Sequence, residues 1–276
     1  MRLDDLDPTD NARDLGSGGG GGGFPLFGLI AMLFGRRLGC GGLLLLGAVA
    51  LAYMYLSQGG GGMLGQAGGP SAGQSQTAGQ SGAAVCRVSP ERLEACRVMT
   101  STDQTWAKIF EEAGHRYQPA TINFFQGGAE TGCGAATSAV GPFYCPSDGG
   151  VYLDTDFFKE LSSRFGAKGD FARDYVIAHE MGHHVQDLLG TSGEVSRRQA
   201  AASETEGNHL SVQLELQADC FAGVWAARNK DRMEPGDIEE GMTAANAIGD
   251  DTLQKESQGT VMPDKFTHGT SAQRME

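Results

Sequence analysis

The residues most able to do chemistry are His179, Glu180 and His183, within the run Tyr175-Val-Ile-Ala-His-Glu-Met-Gly-His-His-Val-Gln186. On a helix, positions four apart share a face, so the two imidazoles can hold a single Zn²⁺ at about 2.0 to 2.1 Å. Glu180 is one residue on, turned about 100° around the axis, which sets its carboxylate beside such an ion. There it can take a proton from water. The H-E-x-x-H spacing therefore reads as two metal ligands and a general base. Apolar Val176, Ile177 and Val185 flank the motif, where a solvated helix face would be mostly polar. Gly182 costs the helix roughly 1 kcal/mol against Ala, a loss explained if another segment must come close there.

A catalytic zinc needs a third protein ligand and one position left for water, and Glu215-Leu-Gln-Ala-Asp219 offers two carboxylates on one helical face. Glu215 can ligate. Asp219, one turn on, can accept the spare N–H of a ligand histidine and fix its tautomer. Glu204, Glu206 and His209 compete for the third place, but they stand near the start of that helix among polar residues, where capping and solvation explain them. His184 points away from the ligand face and reads as packing or as support behind the ligands, while His115 and His209 read as surface residues.

Those side chains need two helices behind them. Asp170 can cap one that runs to Leu189 with Gly190 as its stop, and Ser203-x-x-Glu206 has the form of a capping box for a second reaching Arg228. Upstream, Ser89-Pro90 opens a helix and Thr102-Asp103 opens another that buries Trp106, Ile109 and Phe110. Thr121 to Gln126, Ala135 to Val140, Phe143 to Cys145 and Val151 to Asp154 are short β-prone runs between Gly, Pro and Asp turns. They predict a small, mainly antiparallel sheet that precedes the two active-site helices, an α+β arrangement. Ala135 to Val140, with its small side chains, fits either a sheet edge that pairs with an extended substrate or an ordinary core strand. Residues 237 to 257 again look helical.

Composition divides the chain. Of the 43 glycines in 276 residues, an excess lies before residue 83, so a packed domain is expected over 85–276. Leu38 to Leu56 is a run of 19 residues without a charge, long enough for a transmembrane helix, with Tyr53 and Tyr55 near its far end. Arg36 and Arg37 precede it and no cation follows until Arg87. The positive-inside rule then leaves a Gly-rich segment, residues 1–37, in the cytoplasm. It makes 57–84 a flexible tether and 85–276 an extracytoplasmic domain on a single-pass anchor. Two short-range cysteine pairs, Cys86 with Cys96 and Cys133 with Cys145, fit an oxidising compartment, while Cys220 reads as a buried free thiol. Lys and Arg total 21 against 34 Asp and Glu, a net charge of −13 that argues against nucleic acid as a partner.

A metzincin would carry Gly at 186 and His at 189, where this chain has Gln186 and Leu189. H-E-x-x-H followed by E-x-x-x-D instead resembles the gluzincin arrangement. Further motifs narrow the resemblance: Cys133-Gly, Gly141-Pro-Phe-Tyr-Cys-Pro, Tyr152-Leu-Asp, Glu215-Leu-Gln-Ala-Asp-Cys and Thr267-His-Gly-Thr-Ser-Ala-Gln-Arg. Together with the zinc helix they are similar to the bacterial neutral zinc metallopeptidase family over about residues 85 to 276. The resemblance implies a zincin-like domain, a Zn²⁺ cofactor and hydrolysis of a peptide or protein substrate. The run from Thr267-His268 to Arg274 is similar to a segment of integral-membrane gluzincins, which implies transition-state support from His268 and a supporting role for Arg274. The expected function is that of a membrane-anchored zinc endopeptidase. The rival is a membrane-tethered scaffold with a structural zinc, closed by a fourth ligand from His209 or His268.

Overall fold

The computed structural model describes residues 1–17, 79–164 and 166–276. Its sheet is built around β2 (Thr121–Gln126), whose Ile122 and Phe124 are completely buried. Alternation along the strand sends those two toward the helices and Phe125 to the other face, onto Cys145 and Tyr152. β1 (Ala12–Ser17) pairs in parallel with β2, placing Ala12 beside Ile122 and Asp14 beside Phe124. On the opposite side β6 (Gly150–Leu153) also runs parallel to β2, and β5 (Phe143–Cys145) closes that edge antiparallel to β6. β3 (Gly128–Thr131) and β4 (Gly134–Thr137) form a hairpin beyond the tight turn after Gln126. The disulfide Cys133–Cys145 ties the tip of that hairpin to β5.

Helices cover one face. α1 (Ala83–Cys86) is stapled by the Cys86–Cys96 disulfide to α2 (Pro90–Glu112), which Ser89 caps at its first turn. After α3 (Asp156–Ser163) come α4 (Asp170–Leu188) and α5 (Thr191–Ala201), then α6 (Glu204–Arg228), capped by Ser203, and α7 (Asp237–Ala247). Ile122, Phe124, Val151 and Leu153 of the sheet share one core with Met99, Phe171, Met181, Trp225 and Ala244 of these helices. A smaller core joins Trp106 and Phe110 to Val185 and Phe221. α8 (Asp250–Gln258) and the single turn α9 (Ser271–Arg274) finish the chain.

α4 and α6 approach closely at Gly182, where a Cβ would stand 2.8 Å from the carbonyl oxygen of Ala218. This accounts for the glycine in mid-helix. A side chain there would force the two helices apart.

Residues 1–17 belong to the same body. The Met1 ammonium meets Asp170 at 2.8 Å and Asp237 at 3.4 Å, at the first residues of α4 and α7. Asp14 pairs with buried Arg92 at 2.7 Å, and that guanidinium lies 4.8 Å over the Phe124 ring. Residues 79–82 run antiparallel along the outer side of β1, with Asp14 N–H donating to Gln80 and Gly82 N–H to Ala12.

Several expectations are corrected. A single-pass anchor at 38–56 would put residues 1–37 and the domain on opposite sides of a bilayer, but β1 is a strand of the domain's own sheet. That sidedness is overturned, and no helix among the described residues is long and apolar enough to cross a membrane. The run 38–56 itself and Cys40 lie outside the described residues. The sheet is mixed, with β2 parallel to β1 and β6 and antiparallel to β3, where a mainly antiparallel one was expected. Short loops between adjacent β-runs suggest hairpins, yet β1 and β6 reach β2 through long connections that local pattern does not reveal. Thr102 starts no new helix, because its hydroxyl bonds back to the carbonyls of Val98 and Met99 inside one continuous α2. Ala135 to Val140 is β4 followed by a 3₁₀ turn. Cys220 is free but exposed.

Candidate metal centre

α4 and α6 cross so that His179 and His183 face Glu215, the possible ligand atoms of all three lying within 4.8 Å of one another. His179 Nε2 is 3.1 Å from Glu215 Oε2, and His183 Nε2 is 3.4 Å from Oε1. The far nitrogens are engaged elsewhere: Nδ1 of His179 with Asp219 Oδ1 at 2.7 Å, and Nδ1 of His183 with Gln186 Oε1 at 2.9 Å. Both of those partners are acceptors, so each Nδ1 carries a proton toward its partner and each Nε2 is directed at the Glu215 carboxylate. Two imidazole Nε2 atoms and a carboxylate, their ligand atoms within 4.8 Å of one another, form a set that can take a cation in place of the protons between them. Two imidazoles and one carboxylate suit zinc. Among the described residues no fourth His, Cys, Asp or Glu joins this group.

Asp219 is itself held from three sides. It accepts from His179, from the Tyr175 hydroxyl at 2.5 Å, and from Arg274, whose Nε and Nη2 each donate at 2.9 Å. Arg274 is 5% exposed and is brought there by α9, which starts in a full capping box between Thr270 and Gln273. Asp219, Arg274 and the two ligand helices are thus one network.

Glu180 is buried beside the cluster, and the backbone N–H of Tyr144 in β5 favours its charged form. Tyr144 is fixed against α4 by its hydroxyl, which lies 3.0 Å from Asp187 and 3.1 Å from His184 Nδ1. His184, as expected, packs away from the ligand face, its Nε2 on the carbonyl of Gln118 at 2.7 Å. His268 sits half-exposed in the loop between α8 and α9. Asp250 shapes that loop: one of its oxygens accepts the backbone N–H groups of Thr267, His268 and Gly269 at 2.7, 2.6 and 3.1 Å, and the other faces His268 Nδ1 at 3.3 Å. His209 and His115 are exposed, as read.

The electrostatics follow from burial and pairing. Burial raises the Glu180 carboxyl, the histidines beside it only partly opposing this. At Glu215 burial also pushes upward, but bonds from His179 and His183 win and hold it far below the usual carboxylate range. Asp219 is brought down to about 2 by His179 and Arg274 against its burial. His179 is disfavoured as a cation by burial, yet Asp219 and Glu215 carry it up to about 10. The bond to Asp250 raises His268, with burial opposing and Glu215 assisting.

Tyr175, Gln186, Tyr144 and Asp250 were not singled out from sequence. Tyr175 lies one turn before His179 and Gln186 three residues after His183, spacings that put each near its histidine on the helix surface. Nothing local marks Asp250, whose partners are 17 to 19 residues away.

The profile of a family described as "putative neutral zinc metallopeptidase" matches residues 1–276. The chain is similar to "Uncharacterized protein YpfJ" of Escherichia coli K12, 51% identical over 193 residues that make up 68% of this chain and 67% of that one. It is also similar to "Uncharacterized protein Rv2575" of Mycobacterium tuberculosis H37Rv, 42% identical over 207 residues, 68% of each chain. No solved structure matches the chain.

Proposed function

Because the chain belongs to the neutral zinc metallopeptidase family, we propose that it is a zinc-dependent endopeptidase with His179, His183 and Glu215 as the metal ligands and Glu180 as the general base. The observation that carries this is the convergence of two imidazole Nε2 atoms on one carboxylate, with a further buried carboxyl, Glu180, beside them. When bound, zinc supplies Lewis acidity, acidifying water and polarising the scissile carbonyl. Glu180 takes the proton of the attacking water on its carboxylate and passes it to the leaving amine. Its burial, which raises its affinity for a proton, suits a group that must hold one between two steps. Asp219 and Gln186 keep both histidines protonated on Nδ1, and Arg274 and Tyr175 hold Asp219 in place. His268, within electrostatic reach of Glu215 and oriented by Asp250, is assigned to stabilise the oxyanion. A three-donor set leaves room for water, which favours turnover over a closed structural zinc.

The test uses the full chain. One zinc per chain by elemental analysis, with chelator-sensitive cleavage of an unfolded protein substrate, is the expected result. Glu180→Gln should keep the zinc and lose activity, since it removes the base and leaves the ligands. Zinc without cleavage in the unaltered protein would instead favour the scaffold reading.

A further inference from the structure

Gln186 takes no part in the chemistry above except as a partner of His183, yet its side chain is completely buried between α4 and α6. Its amide nitrogen donates to the backbone carbonyl of Leu214 at 2.6 Å and to Gln217 Oε1 at 3.0 Å, while Oε1 faces His183 Nδ1 at 2.9 Å. A backbone carbonyl can only accept, so the NH₂ must turn to Leu214 and the oxygen must turn to the imidazole. The amide cannot flip without setting its oxygen against the Leu214 carbonyl oxygen, so the unflipped oxygen is what the imidazole meets, and it can only accept.

We propose that Gln186 is a positioning residue of the metal centre, fixing the Nδ1–H tautomer of His183 and seating α6 through the carbonyl just before Glu215. The proposal rests on the zinc reading of that site. It explains an asymmetry: His179 is oriented by a carboxylate, Asp219, and His183 by a neutral amide. A carboxylate at 186 could still accept from His183 but would bring a second oxygen against Leu214 O and Gln217 Oε1. An amide satisfies both ends, and it does so where Gly182 lets the helices touch, so one side chain sets a ligand's tautomer and the seat of another ligand together.

Zinc affinity, measured on the full chain by competition with a chromophoric chelator, should fall about 10- to 100-fold in Gln186→Met, which keeps length and loses every polar atom. Gln217→Leu, which leaves the His183 and Leu214 contacts in place, should weaken zinc far less. In ¹⁵N-labelled, zinc-loaded wild type the His183 imidazole proton should be on Nδ1 and exchange slowly with water, a readout that survives even if Gln186→Met does not fold. Wild type that binds no zinc would overturn the reading of the site itself. Wild type that binds zinc with the His183 proton on Nε2, or Gln186→Met that binds as tightly as wild type, would overturn the role of Gln186 alone.

Discussion

At the scale of single residues, the division of labour between Glu215 and Asp219 is the sharpest claim. Both are carboxylates on one face of α6, but Glu215 faces two Nε2 atoms while Asp219 receives Nδ1–H, a tyrosine hydroxyl and a guanidinium. An acceptor so fully occupied by donors has little left for a metal ion. Glu215→Ala should therefore abolish measurable zinc binding in a chelator titration, and Asp219→Ala should weaken it by about 10- to 100-fold. The reverse order would make Asp219 the ligand. A second residue-scale prediction lies away from the centre, at Asp103. Burial pushes this carboxyl up to about 7, although the Tyr117 hydroxyl donates to it at 2.6 Å. Its folded-state value is above the unfolded one of 3.8, so the folded protein binds this proton more tightly. That contribution is complete below pH 4 and is lost as pH rises to about 7. Asp103→Asn keeps an acceptor for Tyr117 and does not titrate. Urea unfolding of the two proteins from pH 4 to 8 should show wild type losing stability relative to Asp103→Asn across that window, and parallel curves would refute the shift.

Helices and strands show what the sequence could reveal about its own fold. The ligand helix was legible because its chemistry and its period coincide: His179 and His183 are four apart, and Val176, Ile177 and Val185 supply the buried flank. Its mate was legible for a similar reason, with Ser203 as a true cap and Arg228 as its last residue. Gly182 forecast a close approach by some other segment, which proves to be the carbonyl of Ala218 in α6. What stayed hidden depends on partners far along the chain. Asp14 reads as one acid in a polar N-terminal stretch until Arg92 is placed beside it, and the parallel neighbours of β2 come from residues 12–17 and 150–153. Asp250 and Gln186 were silent because an acid in a loop and an amide on a helix are ordinary until their acceptors and donors are in view. The helix contact gives a prediction of its own. Gly182→Ala adds a methyl that must displace backbone, not a flexible side chain, so α6 has to retreat by several tenths of an ångström. Overpacking of this kind typically costs about 1–3 kcal/mol in stability. Because Glu215 rides on α6, zinc affinity should fall as well, although Ala is the better helix former. A variant that is more stable and binds zinc normally would show that the two helices can separate without disturbing the ligands.

For the molecule as a whole, the decisive fact is where the chain leaves and re-enters the domain. β1 ends at Ser17, and Gly79 N–H already donates to Asp14 O at 2.6 Å, with Gly82 N–H reaching Ala12 at 2.8 Å. Residues 79–82 therefore lie against β1, and residues 1–17 are built into the sheet. This sets two deletions against each other. Removing 1–17 takes away a strand of β2's sheet, the Met1 ammonium at the starts of α4 and α7, and the partner of buried Arg92. Losing one member of a buried ion pair alone costs about 3–5 kcal/mol, a large part of the stability of an ordinary domain. A fragment starting near residue 79 should accordingly be unfolded or strongly destabilised and bind no zinc. Replacing 18–78 with about five Gly and Ser residues, a common loop length, keeps β1, residues 79–82 and every residue of the metal centre. That shortened chain should melt at or above the temperature of the full protein and bind zinc with the same affinity by chelator competition. If it melts far lower or loses zinc, then 18–78 contributes to the domain's stability and the sheet beside β1 is not self-sufficient. If the fragment from residue 79 folds and binds zinc unaided, β1 is dispensable and the N-terminal residues are an accessory to the sheet.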